Sequence, residues 1–174
     1  DRPSATMTTN LLQVEQVLLR TSPAESTIPS ESKPTMRQVS KQRNTRETKI
    51  QLTINLDGSG KVAVSSGMGY LDHMLEQLAF HGLFDLELQC EGDLEVDCHH
   101  TVEDISLTLG AAVLEALGDK QGIVRYGQMY VPMDETLVRT VMDLSGRPDF
   151  VFQGEFRQPA IGALDTQMIS HFFK

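Results

Sequence analysis

Residues 43–174 predict an α+β fold, and three observations carry that expectation. Ile50, Leu52, Ile54 and Leu56 alternate with polar residues, which is the period of a strand with one buried face. Leu71, Leu75 and Leu78 recur at helical spacing, and so do Ile105, Leu109, Ala112, Ala116 and Leu117. A β-like texture returns from Ile123 to Phe156.

Each element has local punctuation. Residues 1–42 are rich in Ser, Thr, Pro and Gln and read as a disordered extension, with an incidental short helix over Leu11–Leu19. Order is expected from about Thr45. Asp57-Gly58 signals a hairpin that places Val62 and Val64 on a strand partnering the first. Gly67-Met68-Gly69 ends the sheet and opens a helix, which Gly82 stops. His73, Gln77 and His81, spaced by four, line that helix opposite its leucines. A second hairpin is expected, with Leu86, Leu88 and Cys90 turning at Glu91-Gly92-Asp93 into Leu94 and Val96. A long helix runs from His99 to about Leu117, where Gly118-Asp119 ends it. The later β region breaks at Ser145-Gly146-Arg147-Pro148. Asp165 reads as the N-cap of a last helix that begins at Thr166 and is cut at Lys174 after barely two turns.

Composition narrows the function classes. The 174 residues suffice for one domain, and an apolar content of 40% supports a core without any Trp. Cys90 and Cys98 give no disulfide framework, and neither a signal peptide nor an 18-residue apolar run is visible. A cytoplasmic, reducing setting is expected. Residues 1–49 hold eight Lys or Arg against five Asp or Glu, while residues 50–174 hold seven against nineteen. An acidic body argues against nucleic acid as a partner, because phosphate backbones need clustered cations. A small phosphorylated ligand needs only two or three well-placed basic groups and stays possible.

The chemistry concentrates in Cys98-His99-His100-Thr101-Val102-Glu103-Asp104. On a helix, His99 and Glu103 share one face and His100 and Asp104 the next. Adjacent histidines about 100° apart do not easily serve one ion, but they can serve two. Imidazole with carboxylate suits divalent transition metals. Asp72 and Asp104 are expected to orient histidines, and His81 to sit as a cation at a helix C-terminus. Cys98 is read as a neighbour of the site, not a ligand, and the methionines as core filler.

The ordered motifs resemble the imidazoleglycerol-phosphate dehydratase family. They are Arg46-Glu47-Thr48-Lys49-Ile50, Leu56-Asp57-Gly58-Ser59-Gly60, Gly69-Tyr70-Leu71-Asp72-His73-Met74-Leu75, Gly92-Asp93 and the His99–Asp104 block. Gly122-Ile123-Val124-Arg125-Tyr126-Gly127, Pro132-Met133-Asp134-Glu135 and Asp143-Leu144-Ser145-Gly146-Arg147-Pro148 complete the set. The resemblance implies a tandem pseudo-repeat of small β-sheet plus helices, of the ribosomal protein S5 domain 2-like type. Residues 43–122 would form the first half and 123–174 the start of an incomplete second half. It also implies two Mn²⁺ ions bound between subunits of a homo-oligomer, a 24-mer for the complete family member. By motif position the metal ligands are His73, His99, His100, Glu103 and His171. Glu47 matches a substrate-contacting acid with a catalytic role shared by Glu103, and Arg125 and Arg147 match phosphate-binding arginines. The implied reaction removes water from imidazole glycerol phosphate to give imidazole acetol phosphate. Two metal ions would hold the substrate ring as an imidazolate, which expels the hydroxyl through a diazafulvene-like intermediate.

One departure stands out. His73 and His99 lie 26 positions apart, so a second His-His-x-x-Glu block is expected 24–26 residues past His171, beyond Lys174. The chain therefore reads as C-terminally truncated and, taken alone, as inactive. The competing expectation is a non-catalytic metal-binding or assembly fragment of the same family. A metallohydrolase is a third reading, but it lacks an acid-rich phosphatase pattern.

Overall fold

The computed structural model describes residues 36–174. The Leu11–Leu19 helix and most of the expected extension lie outside the described residues. Order begins before Thr45, because β1 (Gln38–Asn44) forms a full edge strand antiparallel to β2 (Thr48–Asn55). The polar sequence Gln-Val-Ser-Lys-Gln-Arg-Asn conceals it. Its inward positions are Val39, Lys41 and Arg43, and the last two reach acids on a helix rather than burying apolar surface. Lys41 pairs with Glu115, and Arg43 meets Asp104 at 2.7 Å.

The sheet order is β1-β2-β4-β3. β3 (Val62–Ser65) runs parallel to β4 (Asp85–Gly92), which is itself antiparallel to β2. The expected β2–β3 hairpin is therefore corrected: the chain turns at Asp57-Gly58 but crosses the end of β4 before descending. Asp85 draws it across, with Oδ1 accepting from the backbone N–H of Ser59 at 2.8 Å and of Lys61 at 2.9 Å. Gly58 is required there, because a Cβ would lie 2.3 Å from the Asp85 backbone nitrogen.

Helix α1 (Gly69–Gly82) connects β3 to β4 and buries Leu71, Met74, Leu75 and Leu78. It ends one residue later than its glycine suggests. Gly82 is the last helical residue, and Leu83 takes the left-handed conformation at φ 59°. The second expected hairpin is absent as well. After Gly92 the residues Leu94, Glu95 and Val96 form a turn, and Val96 N–H bonds Asp93 O at 2.8 Å. The turn delivers the chain to α2 (His99–Leu117), whose first N–H is capped by Asp97 Oδ1 at 2.7 Å. Both helices cover one sheet face, α2 over β1 and β2 and α1 against β3 and β4. Between them lies the core, with Ile50, Ile54, Leu86, Ala79 and Ile105 wholly excluded from solvent. Full burial of such side chains contributes about 1.5–3 kcal/mol each before entropy is set against it.

The later residues are built more sparely. β5 (Tyr126–Met133) and β6 (Thr136–Asp143) make one antiparallel hairpin. The β texture read up to Phe156 stops at Asp143. Residues 150–156 instead stack their phenylalanines, with Phe150 on Phe152 at 6.3 Å and Phe152 on Phe156 at 5.9 Å between ring centroids. β7 (Ala160–Ile161) and β8 (Leu164–Asp165) form a two-residue pair that leads into α3 (Gln167–Phe172). Thr166, not Asp165, occupies the N-cap position. Its hydroxyl donates backward to the carbonyls of Gln158 at 2.8 Å and Pro159 at 3.0 Å, so this helix start is tied to the preceding loop. Leu164, Met168 and Ile169 join the main core, which seats α3 against α2.

Candidate metal centre

The packing of α3 on α2 places three ligand-type side chains together. His99 and Glu103 project from one face of α2, with Nε2 to Oε2 at 3.9 Å. His171, in the last turn of α3, brings its ring centroid to 5.1 Å from that of His99. One donor atom from each of the three lies within 4.8 Å of the others. Nitrogen and carboxylate donors contact divalent transition metals at about 2.0–2.2 Å. His99 and Glu103 are half-buried and His171 is exposed, so modest side-chain rotation would close the remaining gap, and the donor set fits such an ion. Among the described residues these three form the group of donors assembled within one chain.

His100 faces elsewhere, as adjacent helical positions require. Its ring centroid is 6.1 Å from that of His99 with the planes 72° apart. Its Nδ1 lies 2.9 Å from Asp93 Oδ2, in the turn that precedes the helix. The Asp93 carboxylate raises the imidazole pKa above its ordinary value, with Glu47 and Asp97 acting in the same direction. Glu47 reaches this corner through the β1–β2 turn, and its carbonyl accepts from Asp93 N–H at 3.1 Å. The structure thus gathers Glu47, Asp93 and His100 around one corner.

The two aspartates expected to orient histidines do other work. Asp104 is buried and accepts from Arg43 Nε at 2.7 Å and Thr45 Oγ1 at 3.2 Å, besides the Thr48 hydroxyl. Burial raises its pKa, and the bonds from Thr48 and Arg43 outweigh that and hold it below the ordinary carboxylate value. It anchors α2 to the first two strands. Asp72 accepts from Ser66 N–H at 2.8 Å and shapes the entry to α1. Asp93, which the sequence motifs include without a role, lies seven positions before His100 and contacts it. A helical register cannot reveal this contact because Asp93 lies in a turn.

His73 stands exposed on α1, outside the three-donor group. His81 sits in the last turn of α1, as expected, with Nε2 at 3.2 Å from Gln77 Oε1. Cys98 is buried at the start of α2, and burial pushes the Cys90 thiol up to about 11, so Cys90 offers no thiolate. Arg125 lies against Asp143, Nε to Oδ1 at 2.6 Å, with its guanidinium 4.9 Å from the Tyr126 ring centroid. Arg147 lies near enough to act on the same aspartate, whose pKa is lowered first by the Arg125 bond. Two cations therefore flank one carboxylate at the end of the β5–β6 hairpin.

An α+β scaffold whose helices converge imidazole and carboxylate on one point defines a candidate metal-dependent enzyme. The family model for imidazoleglycerol-phosphate dehydratase matches residues 66–174. The dehydratase of Hydrogenovibrio crunogenus is 55% identical over 139 residues, 80% of this chain and 71% of the relative. That of Paracidovorax citrulli is 55% identical over 132 residues, and this chain spans 63% of its length. The crystal structure of the Staphylococcus aureus enzyme superposes with a TM-score of 0.69 at 38% identity, covering 78% of this chain and 74% of that one. A Pyrococcus furiosus structure matches at a TM-score of 0.60 and 31% identity. The chain belongs to the imidazoleglycerol-phosphate dehydratase family, the metal-using lyases of histidine biosynthesis. No described helix is long and apolar enough to cross a membrane.

Proposed function

We propose that this chain works in the removal of water from imidazole glycerol phosphate, giving imidazole acetol phosphate, with Mn²⁺ as the working ion. The convergence of His99, Glu103 and His171 carries this reading, because separate helices bring them together in a chain of this family. These three side chains would hold one ion. His100 and His73 would contribute to a second, which completes the five-residue ligand set. When bound, the metal supplies Lewis-acid polarisation of the substrate's imidazole.

The chain's own groups do the rest. Glu47, beside His100 and Asp93, would accept the proton from the side-chain carbon and pass it to the departing hydroxide, which leaves as water. Glu103, on the face of α2 that carries His99, would share that catalytic role. Arg125 and Arg147 take the phosphate, whose oxygens match the planar guanidinium fork. Asp143 keeps Arg125 in place until a dianion competes for it.

The 174 residues contain one His-His-x-x-Glu block, at His99–Glu103. Full turnover requires a second block, whichever polypeptide supplies it. The two halves of a pseudo-repeat would provide both, within a homo-oligomer that the family resemblance makes a 24-mer. Exposed Tyr126, Tyr130, Leu137 and Val141 on the β5–β6 hairpin offer apolar surface for such assembly. The test is water elimination measured at matched Mn²⁺ for this chain and for one extended through a second block. The extended chain is expected to turn over far faster. Equal rates would remove the second block from the mechanism and favour a self-sufficient centre at His99. Absence of turnover from both chains would favour a non-catalytic metal-binding or assembly role.

A further inference from the structure

The turn before α2 holds a carboxylate that none of the expected site residues includes. Asp93 is pinned at its backbone on both sides, donating N–H to Glu47 O at 3.1 Å and accepting from Val96 N–H at 2.8 Å. Its side chain is only 19% exposed and reaches His100 Nδ1 with Oδ2 at 2.9 Å. The other oxygen, Oδ1, is buried with no hydrogen-bond partner among the described residues. A buried carboxylate with one oxygen left unpartnered carries an uncompensated desolvation cost. Fold stability alone does not account for such a group, so a use at His100 does. Gly92 sharpens the point. A Cβ there would fall 2.0 Å from Thr101 Oγ1, so glycine lets the end of β4 close onto the first turn of α2. That approach sets the reach from Asp93 to His100.

We infer that Asp93 is a positioning residue that accepts a hydrogen bond from the Nδ1–H of His100 and thereby leaves Nε2 as the ring's metal-ligating atom. The two histidines of the block are then prepared differently. His99 lies against Glu103 and His171, and His100 against Asp93. His100 lies outside the three-donor group at His99, with its ring plane 72° from that of His99, so Asp93 would govern a ligand of a different ion. The hydrogen bond is a property of the metal-free chain. Its consequence for metal binding rests on the dehydratase reading.

The experiment separates the two. Nitrogen NMR on ¹⁵N-histidine-labelled, metal-free protein at about pH 8.5, above the ordinary imidazole pKa of ~6.5, reads the tautomer directly. The His100 signal is identified by its loss in His100→Gln. The wild-type ring is expected as the Nδ1–H tautomer. In Asp93→Ala it should shift toward Nε2–H, the form favoured in water. In Asp93→Asn, which keeps an acceptor oxygen and the side-chain shape, it should shift less. Circular dichroism confirms that each variant is folded, and Asp93→Asn decides the matter if Asp93→Ala is not. Mn²⁺ titration of the same proteins should show one class of site weakened about 10–100-fold in Asp93→Ala, less in Asp93→Asn. The class lost in His99→Ala should be untouched. A wild-type His100 already in the Nε2–H form overturns the inference, and so does an unchanged tautomer in Asp93→Ala. A shifted tautomer with every Mn²⁺ affinity unchanged also overturns it, because the carboxylate would then position nothing that matters. If wild type binds no Mn²⁺, the assignment of metal to this chain's own residues fails while the tautomer still decides the Asp93 bond.

Discussion

β2 and the β5–β6 hairpin carry similar alternating sequences, yet their apolar residues end in different places. Ile50 and Ile54 on β2 are 0% exposed, whereas Tyr126 on β5 and Val141 on β6 are 65% and 68% exposed. The period of two sets which residues share a face, but it does not supply a cover. Cover comes from helices, and residues 69–117 provide two of them over one sheet. After residue 122 there is one helix of six residues, and it packs on α2 rather than on β5 and β6. The candidate metal centre sits where the two regions meet. His99 and Glu103 come from the well-covered half, and His171 comes from the sparer one.

The largest expected effect lies in the covered sheet. Leu86→Ala should destabilise the fold by about 3 kcal/mol, read by denaturant unfolding, because a wholly buried leucine leaves a cavity between two helices and a sheet. A change under about 1 kcal/mol would mean that the core relaxes around the gap, and the contrast between the halves would weaken.

Acid should loosen the same half at an intermediate level. Asp57 is held below its ordinary pKa first by its side-chain bond to Arg37, against the opposing effect of burial. Asp85 is lowered first by the backbone N–H of Ser59 and then by that of Lys61. A carboxyl with a depressed folded pKa contributes stability above its unfolded pKa, about 3.9, and loses it as pH falls through the folded value. The crossover from β2 to β3 should therefore open as pH drops below about 4. Hydrogen exchange at the Ser59 and Lys61 amides reads this. Protection that survives well below the folded pKa values would show that these carboxylates do not hold the crossover.

The smallest effect belongs to the uncovered hairpin. Val141→Thr should change the stability of the isolated chain by no more than about 0.5 kcal/mol. A loss comparable with that of Leu86→Ala would show that another surface covers β5 and β6 in solution.

Much of this contrast was legible in the sequence. The strand at Ile50–Leu56, the helix at His99–Leu117 and the apolar stripe of α1 follow from periodicity, and they stand in the structure. β1 was not legible, because Lys41 and Arg43 occupy its inward positions and replace hydrophobic burial with ion pairs. The parallel placement of β3 was hidden too. Asp57-Gly58 marks a turn, but the Asp85 carboxylate that redirects the chain lies 26 residues from Ser59. At the site, helical geometry separates His99 from His100 without any coordinates. It could not supply Asp93, which acts from a turn. Nor could it release Asp104 from the expected role of orienting a histidine, since Arg43 and Thr45, 61 and 59 positions away, are its partners.

The central claim is that His99 and His171 serve one ion although they come from different regions of the chain. Mn²⁺ titration of wild type, His99→Ala, His171→Ala and the double variant forms a cycle that tests it directly. Each single change should abolish the same class of site, and the double variant should lose nothing further. Additive losses, with each histidine removing a separate class of site, would contradict a shared centre between α2 and α3.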